Sequence, residues 1–82
     1  MEKIIVTVHV PMIQKQYDFF LPINVSAQKV FDNVQDLICD NNSNYVKKEK
    51  VVVFDSLNGQ LINLNNVIKF SGLKNGSHVL MY

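Results

Sequence analysis

The spacing of apolar residues changes once along the chain, from every second residue to every third or fourth. In KIIVTVHV, the side chains of Ile4, Val6, Val8 and Val10 alternate with those of their neighbours, and YDFFL repeats the alternation after an interruption that begins at Pro11. Alternation is the pattern of a β-strand with one buried face. The segment therefore predicts a β-hairpin with a loop of several residues.

The next segment, NVSAQKVFDNVQDLICDNN, has helical spacing. Apolar residues separated by three or four positions lie on one face of a helix, and here they are Ala27, Val30, Phe31, Val34, Leu37 and Ile38. Ser26 is in position to cap the N-terminus, and the polar run after Cys39 is a typical helix stop. The chain has no other convincing helix.

The remainder predicts short strands and turns. VVVFD is a strand, Asn58-Gly59 a turn and QLINL a return strand, while NNVIKFSG contains a brief helical turn and SHVLMY is a last strand after Asn75-Gly76. DNNSNYVKKEK is predicted to be a mobile polar connector. This order predicts an α+β protein of the β-grasp, or ubiquitin-like, class, with a mixed sheet of about five strands and one helix across one face. The first and last strands are then parallel neighbours.

Length and composition limit the possible functions. The chain has 82 residues, which predicts a single domain over residues 1–82. A net charge of +1 gives no broad attraction for nucleic acid or an anionic membrane. One cysteine cannot form an internal disulfide, and neither a signal peptide nor a membrane-spanning apolar run is evident. We expect a cytoplasmic protein without direct membrane insertion.

A helix across one sheet face divides the strand residues into two sets. The inward set is predicted to contain Ile4, Val6, Val8, Tyr17, Phe19, Leu21, Val51, Val53, Val79 and Met81, with Val30, Val34, Leu37 and Ile38 from the helix and Leu61 and Leu73 at the edges. The outward set contains Thr7, His9 and His78 together with the apolar residues Ile5, Phe20, Val52, Phe54, Leu80 and Tyr82. A shift of one residue in register would exchange the two sets.

Large apolar side chains on adjacent strands of an open sheet face predict a protein-binding patch. Its centre is predicted at Val52, Phe54, Leu80 and Tyr82, and Ile5 and Phe20 extend it. The alternative is a set of isolated apolar residues, which are normal on any protein surface.

Few residues are candidates for catalysis or metal binding. His9 and His78 face the same way on neighbouring strands but lack a third ligand, so they predict solvent-facing histidines rather than a metal site. Cys39, near the helix C-terminus, lacks the cationic setting that activates a thiol. A solvated acidic stripe and a solvated lysine cluster are predicted from Asp32, Asp36 and Asp40 and from VKKEK. We therefore predict no enzymatic activity, catalytic residue, metal or cofactor.

Two stretches, YDFFLPINVSAQKVFDNVQDLI and IKFSGLKNGSHVLMY, resemble the YukD/EsaB family. These are small ubiquitin-like proteins encoded with the type VII (WXG100, ESX-like) secretion systems of Gram-positive bacteria. The shared features are an acidic residue before a Leu-Pro step (Asp18, Leu21-Pro22), the apolar pattern of the helix and the Gly72–Gly76 turn before the last strand. Ser77 stands where members commonly have an acid.

The resemblance implies a non-conjugating binding protein whose partner is the membrane core or the cytosolic ATPase of the secretion apparatus, in an accessory or regulatory role. Ubiquitin and sulfur carriers need a flexible Gly-Gly tail, whereas this sequence ends in the predicted strand at Met81-Tyr82, so we expect neither conjugation nor sulfur transfer. The alternative is a self-associating protein in which the same sheet face closes a homodimer.

Overall fold

The computed structural model describes residues 2–82, so Met1 of the predicted domain lies outside the described residues. Four strands form one mixed sheet, and their bounds are β1 (Lys3–Val10), β2 (Lys15–Pro22), β3 (Val53–Asp55) and β4 (Ser77–Met81). Their order is β2-β1-β4-β3. β1 is antiparallel to β2 and parallel to β4, and β3 is antiparallel to β4. The predicted central, parallel pairing of the first and last strands is confirmed.

The loop between β1 and β2 spans residues 11–14, which confirms the predicted hairpin with a loop of several residues. β2 begins at Lys15, which pairs with Val10, and a 3-10 turn at Pro11–Ile13 connects the strands. Gln14 completes the reversal in the left-handed conformation, with φ of 54°. This reversal lets the alternation of β1 and β2 continue in register to both strand ends.

Helix α1 (Ala27–Asn41) begins after Ser26, as predicted, but the Ser26 hydroxyl makes no capping hydrogen bond. A neighbouring loop satisfies the first amides instead. The N–H of Ala27 donates to the Asn66 carbonyl at 2.8 Å, and that of Gln28 donates to the Leu64 carbonyl at 3.1 Å. Because free helix-end amides need an acceptor of some kind, the loop takes the role that the sequence assigned to Ser26.

The predicted fifth strand, QLINL, is wrong. Only Leu61 forms a bridge, to Phe54, and the chain then leaves the sheet. Asparagine side chains bind the following backbone: the N–H of Asn65 donates to Asn63 Oδ1, and that of Val67 donates to Asn66 Oδ1. Local bonds of this kind compete with a strand ladder. The predicted helical turn follows as a 3-10 turn at Ile68–Phe70.

The core lies between α1 and one face of the sheet. Val6, Val8, Leu21, Val51, Val53, Val79 and Met81 are buried there, together with Val30, Val34, Ile38 and Leu73, whereas Ile4, Tyr17 and Phe19 pack against them half-buried. Two predicted core residues are exposed: Leu37 by 51% and Leu61 by 64%. The helix buries Gln35 instead of Leu37. Leu61 points away from the core because its bridge places it beside Phe54, on the open face.

Candidate protein-binding surface

The sheet face opposite α1 carries the predicted binding residues, and strand register fixes their positions. On this face, Phe54 is paired with Leu80 across β3 and β4. Val52 and Tyr82 continue the pairing through two reciprocal backbone hydrogen bonds, of 3.0 and 2.9 Å. Val52, Phe54, Leu80 and Tyr82 therefore form two adjacent rows, which we call the Tyr82 cluster.

The Tyr82 cluster is partly ordered by its own contacts and partly open to solvent. The rings of Phe54 and Tyr82 meet edge to face, with centroids 6.1 Å apart and planes at 73°. Val52 is 42% exposed and Tyr82 47% exposed, and the exposed Leu61 borders the cluster beside Phe54. A T-shaped contact positions two aromatic rings without removing their outer surfaces from water.

The other two predicted residues, Ile5 and Phe20, lie together but apart from this cluster. They are paired across β1 and β2, and Phe20 is 70% exposed. Leu80 is level with His9, four residues along β1 from Ile5. At a rise of about 3.3 Å per residue, roughly 13 Å of strand separates Ile5 from the cluster. We call Ile5 and Phe20 the Phe20 pair.

Polar side chains fill the space between the two apolar groups. Thr7 donates from Oγ1 to Asp18 Oδ1 at 2.6 Å, and Thr7 is paired with His78 on its other side. His9 Nε2 lies 3.3 Å from His78 Nδ1, and the rings stack with centroids 5.6 Å apart. The six predicted residues thus form two apolar areas divided by a polar band.

The two histidines share one hydrogen bond, so in one of the two rings the facing nitrogen carries the proton. Among residues 2–82, no group of three or more His, Cys, Asp or Glu side chains is arranged to hold a metal ion. The band is therefore a polar boundary between the two apolar areas.

The connector after α1, predicted to be polar and mobile, packs against the helix. Buried Gln35 accepts hydrogen bonds at Oε1 from the Tyr45 hydroxyl at 2.7 Å and from the Lys48 N–H at 2.8 Å. It donates from Nε2 to the Lys48 carbonyl at 2.9 Å. Burial, and secondarily the nearby Cys39, raises the pKa of Tyr45. The sequence pattern missed this network because Gln35 falls among polar helix positions.

The lysine cluster of the connector contacts the acidic stripe of α1 through an ion pair. Lys47 Nζ lies 2.6 Å from Asp36 Oδ1, and this hydrogen bond raises the pKa of Lys47. Both side chains are exposed. Cys39 is half-buried, and its Sγ lies 3.6 Å from the Tyr45 carbonyl oxygen. These groups lie on the helix side of the molecule, away from the Tyr82 cluster.

A second apolar surface lies where β2 meets α1. It is a groove of about 350 Å³ between Phe19 and Leu21 on the strand and Val30, Val34 and Leu37 on the helix. Sequence reasoning missed it because Leu37 was placed in the core. No helix within residues 2–82 is long and apolar enough to cross a membrane.

No protein-family model matches the chain, and no curated protein matches it in sequence. Several solved structures do match the chain in fold. The ubiquitin-like domain of the Mycobacterium tuberculosis type VII secretion protein EccD1 has a TM-score of 0.71 and 13% identity, over 99% of this chain and 98% of that one. A chain of the MycP5-free ESX-5 inner membrane complex has a TM-score of 0.77 and 9% identity, over 100% of this chain and 21% of that one.

A ubiquitin-like domain from Arabidopsis thaliana has a TM-score of 0.65 and 17% identity, over 100% of this chain and 78% of that one. At such identities the likeness shows the fold alone. The chain therefore has the ubiquitin-like β-grasp fold, with one helix and a mixed sheet of four strands in residues 2–82 rather than about five. Of these three structures, one is a domain of a type VII secretion system protein and one is a chain of the ESX-5 inner membrane complex.

Proposed function

We propose that this chain is a non-enzymatic, non-conjugating protein-binding module of a type VII secretion system, of the YukD/EsaB kind, and that it works in the cytoplasm of a Gram-positive bacterium. The observation on which the proposal rests is the exposed Tyr82 cluster. Its partner is a protein of the secretion apparatus, either the membrane core or the cytosolic ATPase. Its role is accessory or regulatory.

The physical support comes from the arrangement of the Tyr82 cluster. Val52 and Tyr82 present apolar surface beside Phe54 and Leu80, on strands that the core holds in place. Fully burying one large apolar side chain stabilises a complex by roughly 1.5–3 kcal/mol, and a micromolar complex has about 8 kcal/mol in total. Losing two such contacts is enough to abolish binding at micromolar concentrations. The Phe20 pair, across the polar band, supplies a second and smaller contact.

Support for the secretion assignment is of a different kind. The YukD/EsaB resemblance of the sequence and the similarity in fold to EccD1 and to an ESX-5 chain point to the same machinery. Against an enzyme, the raised pKa values of Tyr45 and Lys47 belong to side chains engaged by structural partners, Gln35 and Asp36. An acid or base tuned for catalysis is expected inside a cleft.

The test is affinity capture with three forms of the protein. The double variant Val52→Asp, Tyr82→Asp places two charges in the Tyr82 cluster at exposed positions. Val46→Asp is the matched control, because Val46 is 68% exposed on the connector, away from the sheet face. Circular dichroism checks the folding of all three. Mass spectrometry then compares the proteins retained from a lysate of the source bacterium.

Secretion components retained by the wild type and by Val46→Asp, but not by the double variant, support the proposal. Equal retention by all three refutes the Tyr82 cluster as the contact. Light scattering tests the alternative. A wild type that is dimeric and a double variant that is monomeric would indicate self-association through the same face. Intact-mass analysis of the captured protein tests the non-conjugating part, because any covalent partner adds mass.

A further inference from the structure

The two edges of the sheet differ in how their backbone groups are used. At the β3 edge, the N–H of Asp55 donates to the Gln60 carbonyl and that of Ile62 donates to the Val53 carbonyl, each at 2.8 Å. Residues 60–62 therefore occupy that edge. Beside β2, no segment within residues 2–82 pairs with the outer side of the strand. An eight-residue edge strand with free backbone groups is a template for another strand.

Strand register identifies the free groups of β2. The Ile23 N–H donates to the Glu2 carbonyl at 3.2 Å, one step beyond the pair of Lys3 with Pro22. In an antiparallel pair, alternate residues direct their N–H and C=O groups to the same neighbour. The odd-numbered residues of β2 therefore bond to β1. The N–H and C=O groups of the even-numbered residues, Gln16, Asp18 and Phe20, point to the open edge.

The apolar groove runs directly beside this edge. Phe19 and Leu21 form its strand wall and Val30 and Leu37 its helix wall. Leu37 is half-exposed although it lies on the helix flank next to the core. A strand added to β2 would direct alternate side chains into this groove, so backbone pairing and apolar burial would occur together.

The charges around the groove favour an acidic ligand. Lys29 is the single charged residue among those that line it, and within residues 2–82 it has no hydrogen-bond or ion-pair partner. Lys15 lies at the other end of β2, where its Nζ donates to Asn42 Oδ1 at 3.0 Å. The one acidic residue of β2, Asp18, is bound to Thr7 on the opposite sheet face. The groove lining is thus apolar with one positive charge, that of Lys29.

The same charges disfavour a second copy of this chain as the occupant. In a symmetric antiparallel pairing that uses all three free residues, Asp18 of one copy faces Asp18 of the other, and like charges directly opposite are destabilising. That register also brings Lys15 of one copy beside Leu21 of the other, close to Lys29. Both faces of such a dimer would bring like charges together.

We propose that the edge of β2 and the adjoining groove bind an extended acidic-apolar peptide segment of another protein, which joins the sheet as a fifth strand next to β2. Alternate apolar residues of the peptide pack between Phe19 and Leu37, and an acidic residue flanking them pairs with Lys29. Phe20 of the Phe20 pair also lines this groove, but the Tyr82 cluster does not, so the chain can hold a partner at the Tyr82 cluster at the same time.

The test uses isotope-labelled protein and a synthetic peptide of two aspartates followed by three valines alternating with serines. Nuclear magnetic resonance measures amide hydrogen exchange at increasing peptide concentration. We expect new protection of the amides of Gln16, Asp18 and Phe20 only, because those of Tyr17 and Phe19 are already bonded to β1. The same peptide with N-methylated alternate residues cannot pair as a strand, and we expect it to give no protection.

Variants separate the contributions of charge, groove and edge. Lys29→Glu is expected to weaken binding about tenfold and to favour a peptide with lysines in place of the aspartates. Leu37→Ser is expected to weaken it to a similar extent, whereas the exposed control Val46→Ser leaves it unchanged. Gln16→Pro removes one outward N–H from the edge, where proline is tolerated, and Gln16→Ala controls for the side chain.

Three results would overturn the proposal. The first is an absence of protection at millimolar peptide, and the second is peptide-induced change at Val52 and Tyr82 instead of β2. The third is protection of the same three amides without peptide, rising with protein concentration, which would assign the edge to a second copy. None of these results bears on the Tyr82 cluster, so this proposal and the proposed function can fail separately.

Discussion

The two faces of the sheet are built from alternate residues of the same strands, yet they are organised differently. Towards α1, the apolar side chains form one continuous buried layer from β2 to β3. On the open face, the polar band divides the apolar side chains into the Tyr82 cluster and the Phe20 pair. We therefore expect the fold to depend on the inward residues and much less on the apolar character of the outward ones.

This difference makes the open face the more informative one about function. Buried valines are explained by packing, since a small domain needs an efficiently filled core. A tyrosine and a phenylalanine that touch at the surface, next to a half-exposed valine, are not required by the same argument. The comparison predicts that substitutions on the inner face change stability and that substitutions on the open face change binding.

Val52 and Val53 give the largest expected contrast, because the same residue type occurs at adjacent positions on opposite faces. Val53 is fully buried, so Val53→Asp introduces an unpaired charge into the core and is expected to unfold the domain, at a cost above about 4 kcal/mol. Val52→Asp is expected to cost less than about 1 kcal/mol. Denaturant unfolding monitored by circular dichroism measures both, and equal losses would contradict the separation of the faces.

Phe31 and Leu37 extend the comparison to the helix. Phe31 is fully buried, whereas Leu37 is half-exposed beside the groove. Phe31→Ala is expected to lower the free energy of unfolding by about 3–5 kcal/mol, and Leu37→Ala by less than about 1 kcal/mol. Both changes introduce the best helix former, which makes helix propensity a poor explanation for any difference. A large loss of unfolding free energy in Leu37→Ala would show that Leu37 belongs to the core, as the sequence predicted.

Gln35 tests the polar part of the buried layer. Gln35→Ala leaves the Tyr45 hydroxyl and the Lys48 N–H without their acceptor, and we expect a loss of about 1–3 kcal/mol. Hydrogen exchange should show faster opening of residues 42–50. Lys47→Gln is the control: it removes an exposed ion pair that salt also screens, and we expect little change. Unchanged exchange in Gln35→Ala would show that the connector is held by other contacts.

Tyr45 gives the smallest expected effect, at alkaline pH. Burial raises its pKa above the usual value of 10.0, so the folded state holds the phenolic proton more tightly than the unfolded state. The resulting stabilisation is complete below that value and is lost as pH rises through the folded-state pKa. Ultraviolet absorbance of tyrosinate, compared between wild type and Tyr45→Phe, is expected to place this titration above the normal range. A titration at or below the usual value would contradict the burial of the hydroxyl.

Residue alternation was sufficient to predict the hairpin and the inward residues of the four strands that form, because a single buried face imposes a strict period of two. The helix was predicted with less success. The helix face that is defined by intervals of three and four residues is wide, and Leu37 and Gln35 lie near its two edges. Only tertiary packing therefore decides which of the two side chains is buried. The pattern cannot show that Gln35 has buried partners on a later segment.

The open face was predicted in composition but not in arrangement. Which residues point outward follows from alternation alone, whereas their grouping depends on how far β1 and β4 are shifted along each other. That shift places His78 opposite Thr7 and so completes the polar band. The prediction of a fifth strand was wrong for a local reason. Asparagine side chains form hydrogen bonds with the backbone in residues 63–67, and these compete with strand pairing.

The parallel pairing of β1 with β4 has a consequence for how the protein is made. The Ile5 N–H donates to the side chain of Asn75, 70 positions further along the chain. During synthesis, β1, β2 and α1 therefore emerge from the ribosome well before the strand that completes the sheet beside β1. Until β4 is available, β1 has one unpaired edge and the core lacks Val79 and Met81. The nascent chain thus passes through a stage in which an apolar central strand, β1, is exposed to chaperones and to neighbouring chains.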